Sequence, residues 1–232
     1  MNESPLVTLK QRFQAMLPKG VLGELGLIQD GDEWLLSPAE MQGRERAIVQ
    51  VHRASGAARR MAKPLCANLG RPVEAIPRHR RGMPQWPAGI VGSLAHDATL
   101  AVAIAAHSSP SCRGIGVDIE PSVPLDEALV SMVATSWEQK AIHAGQITGK
   151  QLFCIKEAVF KAVYPHDEVF LEFRDVEVDP ANGTALTRYG RRVMWRLIND
   201  PHHVAVAWWW SLPLVPESQI RLPSDGEPLS LQ

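Results

Sequence analysis

Two segments hold residues able to handle a metal ion and a phosphate. Gly114-Ile-Gly-Val-Asp-Ile-Glu120 alternates as a strand does, with Ile115, Val117 and Ile119 on one face and Asp118 and Glu120 together on the other. Gly114 and Gly116 share the acidic face, and without side chains they would let a bulky ligand approach the backbone beside the acids. Phe153 to Pro165 reads as a helix ended by its proline. On it Glu157 and Lys161 lie four residues apart on one side, with Lys156 about 100° around from Glu157. Mg²⁺ takes one or a few carboxylates together with phosphate oxygens and water, a part that Asp118, Glu120 and Glu157 can fill. Each feature alone also reads as ordinary: Glu157 with Lys161 as an exposed helix pair worth about 0.3 kcal/mol, Asp118 with Glu120 as a strand end. Their joint occurrence is what points to chemistry.

These residues need elements to position them. Met1 to Glu33 reads as a polar, helical lead-in, and Ser37-Pro-Ala-Glu40 as a helix start with serine as cap and proline first. A long helical region follows to Leu69, with a kink or a break expected at Pro64. Gly70-Arg-Pro72 ends it, and the loop to Pro87 carries the basic run Arg78-His-Arg-Arg81. Strands are expected over 90–94, 99–106 and 114–120, and helices over 124–133, 136–143 and 150–163. After Phe170 the chain alternates as strands, with a hairpin turn at Asp179-Pro-Ala-Asn-Gly183 and further strands over 192–198 and 204–211. The pattern is α+β. Trp208 and Trp210 share a strand face with Val204 and Val206, which reads as sheet packing rather than as a binding platform. His96-Asp-Ala-Thr-Leu-Ala-Val-Ala and His202-His-Val-Ala-Val-Ala show a weak internal likeness.

Three ordered elements resemble those of the 4′-phosphopantetheinyl transferases, in the branch of the enterobactin-synthesis enzyme and the surfactin type. They are Gly116-Val-Asp-Ile-Glu120, then Phe153-Cys-Ile-Lys-Glu-Ala-Val-Phe-Lys161 followed by Tyr164-Pro165, and upstream Trp86-Pro-Ala-Gly-Ile-Val-Gly-Ser-Leu-Ala-His96. Arg59 with Lys63, and Arg81 in its basic loop, also have counterparts, so the likeness runs from about residue 44 to about residue 175. The resemblance implies two similar α/β halves in one chain, each with an antiparallel sheet and a long helix, and an active site at their interface. It divides the chain into an N-terminal half over 1–112, a C-terminal half over 113–215 and a poorly ordered tail over 216–232.

The resemblance also implies an activity: transfer of the phosphopantetheine arm of coenzyme A to a serine of an apo acyl or peptidyl carrier protein, with Mg²⁺. By resemblance Asp118, Glu120 and Glu157 hold the metal, and Glu157 acts as base directly or through a water. Lys161 contacts the pyrophosphate, and Lys156 contacts phosphate or orients Glu157. Arg59, Lys63, Arg81, Ser93 and His96 grip the nucleotide. The branch tilts the expected carrier toward siderophore or other secondary-metabolite synthases. Two departures stand out: Ala95 where a threonine or serine is usual, and Asp97 where a cysteine is frequent. An acid beside a phosphate site is unfavourable unless it faces away or pairs with an arginine. The rival readings are a Mg²⁺-dependent phosphohydrolase and an inactive module that docks carrier proteins.

Composition agrees with this reading. The chain has 232 residues, 45% of them hydrophobic, enough for a buried core. A net charge of −1 gives no footprint for nucleic acid. Yet eight lysines and arginines fall between Arg53 and Arg81, which suits a local anion site. Three cysteines without zinc or C-x-x-C spacing argue against a disulfide framework and for the cytoplasm. No secretory leader or membrane span is expected. By the resemblance, both halves in one chain imply a monomer.

Overall fold

Alternation along one strand sets the layering. Leu100–His107 (β3) turns Leu100, Val102, Ile104 and Ala106 to one side and Ala101, Ala103 and Ala105 to the other, and both sides are buried. The alanine side packs on the long helix Val49–Asn68 (α3), whose backbone can approach closely because those side chains are small. The larger side meets Ile115, Val117 and Ile119 of Gly114–Pro121 (β4) and Val204, Val206 and Trp208 of His202–Trp209 (β8). The opposite faces of those two strands, with Ala205, Ala207 and Trp209, pack under the helix Gly149–Asp167 (α6). The result is four layers: helix, sheet, sheet, helix.

In the computed structural model, residues 4–110 and 112–209 are described, with the short strand pair Ile220–Arg221 and Ser230–Leu231. The first sheet has three antiparallel strands, Val21–Leu27 (β1), β3 and Ile90–His96 (β2), in that order. The second has five antiparallel strands. β4 lies at one edge and β8 beside it, followed by Arg192–Ile198 (β7), Thr184–Thr187 (β6) and Val176–Asp179 (β5). The edge strands β2 and β4 lie against each other, and Val117 N–H donates to Ser93 Oγ at 3.1 Å across the seam. The helix Pro5–Met16 (α1) closes another side of the central core with Leu9, Phe13 and Met16, tied down by Arg196 Nη1 donating to the Met16 carbonyl at 2.8 Å.

Several sequence expectations are corrected. The lead-in contains β1, which pairs with β3 from Val21 opposite Ala106 to Leu27 opposite Leu100. Its glycines hid it from a propensity reading, but a Cβ on Gly23 would lie 2.8 Å from the Phe13 ring, so α1 needs that bare surface. The helix starting at Ser37 is one turn, Pro38–Met41 (α2), closed by a capping box between Ser37 and Glu40. The break before α3 falls at 42–48, not at Pro64, and α3 runs through that proline. Pro165 likewise lies inside α6, which ends at Asp167 with Glu168 in the left-handed region at φ 53°. Each proline forfeits one helix bond, and burial of the neighbours Leu65, Cys66, Ala162 and Val163 holds the helices together. The helix Glu127–Val133 (α4) ends where expected but starts three residues later, capped by Asp126, and Ser136–His143 (α5) falls where expected. Trp208 packs in the core as read, whereas Trp210 and most of the tail lie outside the described residues. No described helix is long and apolar enough to cross a membrane.

The glycines of β4 have a different use from the one read in the sequence. A Cβ on Gly116 would lie 1.9 Å from the Ala158 carbonyl oxygen, and one on Gly114 would lie 2.1 Å from that of Ala162. The bare face is filled by the backbone of α6, not by a ligand. Gly116→Ala should therefore prise α6 off β4 and destabilise the chain by about 3 kcal/mol, measured as the loss in a chemical denaturation midpoint.

Candidate active site

The close approach of α6 to β4 brings the two motifs together. Helical side chains slant toward the helix N-terminus, so Lys161 reaches back from the level of the glycines and donates from Nζ to Asp118 Oδ1 at 2.6 Å. At the other end of the acidic face, Lys150 Nζ pairs with Glu120 Oε2. Glu157 lies between, half-buried. Burial raises its pKa, and the nearby Asp118 and Glu120 charges add to the rise against the pull of Lys161. Burial works against the Lys161 charge, but Asp118 and then Glu157 outweigh it and hold its pKa above the ordinary lysine value.

The donor set suits a hard divalent cation: Asp118 is buried and its Oδ2 has no hydrogen-bond partner. Among the described residues, though, no group of three His, Cys, Asp or Glu side chains is gathered as a ready metal site. Two of the acids are turned to Lys161 and Lys150 instead.

Among the described residues, three of the cavities that meet here bear on the acidic and basic groups. A central cleft of about 360 Å³ is lined by Ser93 and Gly92 of β2, Arg78 and Arg81 of the basic loop, and Glu157 and Lys161 of α6. It shares Arg78, Arg81 and Gly82 with a basic pocket of about 540 Å³ that adds Arg80, His79, Gln42 and Gly43. On the other side it shares Glu157, Phe160 and Phe170 with a pocket of about 770 Å³ lined mostly by apolar groups, among them Met132, Leu171 and Phe173.

The family of the chain follows from its two halves. Residues 39–106 match the family model of the 4′-phosphopantetheinyl transferase N-terminal domain, and residues 114–207 match that of the 4′-phosphopantetheinyl transferase superfamily. The 4′-phosphopantetheinyl transferase Npt of Nocardia iowensis is 32% identical over 188 residues, spanning 74% of this chain and 82% of the relative. The chain belongs to the 4′-phosphopantetheinyl transferase superfamily. Svp of Streptomyces mobaraensis, 32% identical over 185 residues, covers 75% of this transferase and 74% of its own length. PptT of Mycobacterium tuberculosis, 31% identical over 124 residues, covers 52% and 54%.

Within the transferase the residues singled out from the sequence separate into two groups. Asp118, Glu120, Glu157 and Lys161 converge as described. Arg81 stands at the cleft, half-exposed, and pairs across it with Glu168 at the end of α6. Ser93 lines the cleft while its oxygen accepts from Val117. His96 is exposed at the end of β2, and its pKa is lowered by the surrounding protein mass and by the nearby Lys161 and Arg44 charges. A neutral imidazole can both donate to a phosphate oxygen and accept.

Arg59, Lys63 and Lys156 go elsewhere. Arg59 is buried, with Nε donating to the Ile76 carbonyl at 2.9 Å and Nη1 to Ser55 Oγ at 2.5 Å. Lys63 Nζ lies 3.1 Å from Glu40, and the fully buried Glu40 carboxylate also accepts from Ile76 N–H at 2.8 Å. Together they fasten α3 to α2 and to the start of the basic loop, and neither lines the cleft. Lys156 Nζ spends its three protons on Glu138 Oε2 at 2.6 Å, the Val133 carbonyl at 2.8 Å and the Phe173 carbonyl at 2.9 Å. Its ammonium is held inside the protein, at the floor of the apolar pocket that Glu157 also lines.

Asp97 faces away from the phosphate region. Its Oδ1 accepts from Thr99 and Leu100 N–H in the β2–β3 turn and its Oδ2 lies 3.0 Å from His202 Nε2. Ala95 is packed in the central core. The sequence reading missed Lys150 and left Arg78 uncommitted. Lys150 stands seven residues before Glu157 and eleven before Lys161, so the helical stripe would have found it.

Proposed function

We propose that this transferase moves the 4′-phosphopantetheine arm of coenzyme A onto a serine of an apo acyl, peptidyl or aryl carrier protein, with Mg²⁺, and releases adenosine 3′,5′-bisphosphate. The observation that carries this reading is the run of three joined cavities: a basic pocket, then a cleft where Glu157 and Lys161 face Arg78 and Arg81 beside the acids of β4, then a mostly apolar pocket. Coenzyme A has a matching order along its length, a phosphorylated nucleoside, a pyrophosphate and a long uncharged arm of methylene, gem-dimethyl and amide groups. Arg78 and Arg81 would bind the nucleotide phosphates, an arginine fork suiting their oxygens, with Ser93 and His96 adding hydrogen bonds at the β2 end. Arg59 and Lys63 support this site by fixing the loop that carries Arg78 and Arg81.

Asp118, Glu120 and Glu157 would hold Mg²⁺, which when bound neutralises pyrophosphate charge. Lys161 contacts the pyrophosphate oxygens and stabilises the charge that grows on the leaving group. Glu157 takes the proton of the carrier serine, directly or across one water, as its oxygen bonds to the β-phosphorus and the bond to the bridging oxygen breaks. Burial raises the pKa of Glu157, which suits this part. Both halves of the site lie in one chain, which supports a monomer.

The test is the intact mass of a purified apo carrier protein incubated with the transferase, coenzyme A and Mg²⁺. A gain of one phosphopantetheine arm, lost when Mg²⁺ is chelated, is the expected result. Coenzyme A consumed with no gain on acyl, peptidyl and aryl carriers would establish the hydrolase instead.

A further inference from the structure

Lys150 lies in the first turn of α6, where the helix dipole favours an acid and where no acidic residue is present. A lysine there does not serve the helix. Its side chain is only 12% exposed, with Nζ 5.4 Å from the centre of the Phe153 ring and paired to Glu120. At the far end of the same acidic face Lys161 holds Asp118, and Asp118 Oδ2 is left buried without a partner. Three acids against two lysines leave the face with one unbalanced negative charge even with both lysines in place.

We propose that Lys150 is a built-in counter-cation of Glu120 with which a divalent ion must compete, so that this lysine sets how tightly the site takes metal. The inference rests on the metal reading given above. Lys150 sits on Glu120 Oε2, so a divalent ion either takes that oxygen from the ammonium or binds the other one against the ammonium's charge, and either cost is subtracted from the metal's affinity. For a pair shielded on most sides this amounts to about tenfold in the dissociation constant, equivalent to about 1.4 kcal/mol. In return the chain can fold without metal, because the acids of β4 are not left facing one another uncompensated.

The experiment is calorimetric titration of Mg²⁺ alone, at fixed ionic strength and without coenzyme A, into the full chain and three variants. Lys150→Met should bind Mg²⁺ about tenfold more tightly than the parent. Lys150→Arg, whose guanidinium grips a carboxylate with two hydrogen bonds, should bind it more weakly. Unchanged or weaker binding in Lys150→Met would overturn the proposal. If that variant does not fold, Lys150→Arg decides alone, and equal or tighter binding in it overturns the proposal. Asp118→Asn tells the two ideas apart: if it binds Mg²⁺ as the parent does, the metal reading itself falls and the proposal with it.

Discussion

Glu157→Gln should cut the turnover number of phosphopantetheine transfer by about 10²–10⁴, the usual worth of a positioned general base, without unfolding the chain. The change is isosteric and removes one charge from a crowded acidic face. The sign of its effect on stability can be worked out. Burial first, and the Asp118 and Glu120 charges next, raise the pKa of Glu157 in the folded chain. A carboxyl group raised in this way binds a proton more readily folded than unfolded, so its ionisation opposes folding. That penalty is absent below the unfolded-state pKa and complete above the folded-state one. In metal-free protein, therefore, the unfolding temperature of Glu157→Gln relative to the parent should rise from acid to neutral pH, while transfer is lost throughout. Parent-like turnover in this variant would remove Glu157 from the site. A drop in unfolding temperature that grows toward neutral pH would contradict the repulsion argued here.

The parts of the site legible in the sequence were those with a simple period. Alternation put Asp118 and Glu120 on one face of β4, and helical spacing put Glu157 beside Lys161, because both patterns depend only on local backbone geometry. Long-range pairing was less legible. No local signal says that the bare side of β4 meets the carbonyls of Ala158 and Ala162, so Gly114 and Gly116 looked like room for a ligand when they are contacts for a helix. β1 was missed for a related reason: its glycines answer to the Phe13 ring of α1, and its strand character comes from pairing with β3. The cations misled most. Arg59 and Lys63 occur in a basic stretch that suits an anion, but the anion they meet is the buried Glu40, 36 residues before Ile76 and unmarked by any spacing rule. Which carboxylate claims a lysine is settled by tertiary packing, and sequence periodicity carries no record of it.

Lys156 gives the sharpest test of that distinction, because it adjoins Glu157 in the motif and yet is closed off inside the protein. Its side chain and that of Glu138 are each 1% exposed, and burial, outweighing the Glu138 charge, lowers the lysine's pKa. Glu138 also accepts from Val178 N–H at 2.7 Å and from Thr135 N–H at 2.8 Å, so it joins α5, β5 and α6 in one network. The two ends of the pair should respond unequally. Glu138→Ala strands a buried ammonium and two backbone donors, and should cost about 4 kcal/mol, lowering the unfolding temperature by about 8 to 16 °C. Lys156→Met leaves an apolar chain of similar length and a carboxylate still held by Thr135 and Val178, and should cost about 2 kcal/mol. At a temperature where Lys156→Met remains folded, its turnover should stay within about tenfold of the parent, whereas loss of a transition-state contact would lower kcat and kcat/KM together. A collapse of kcat in fully folded Lys156→Met would show that the ammonium leaves Glu138 for the phosphate during the reaction, and would return this lysine to the catalytic group.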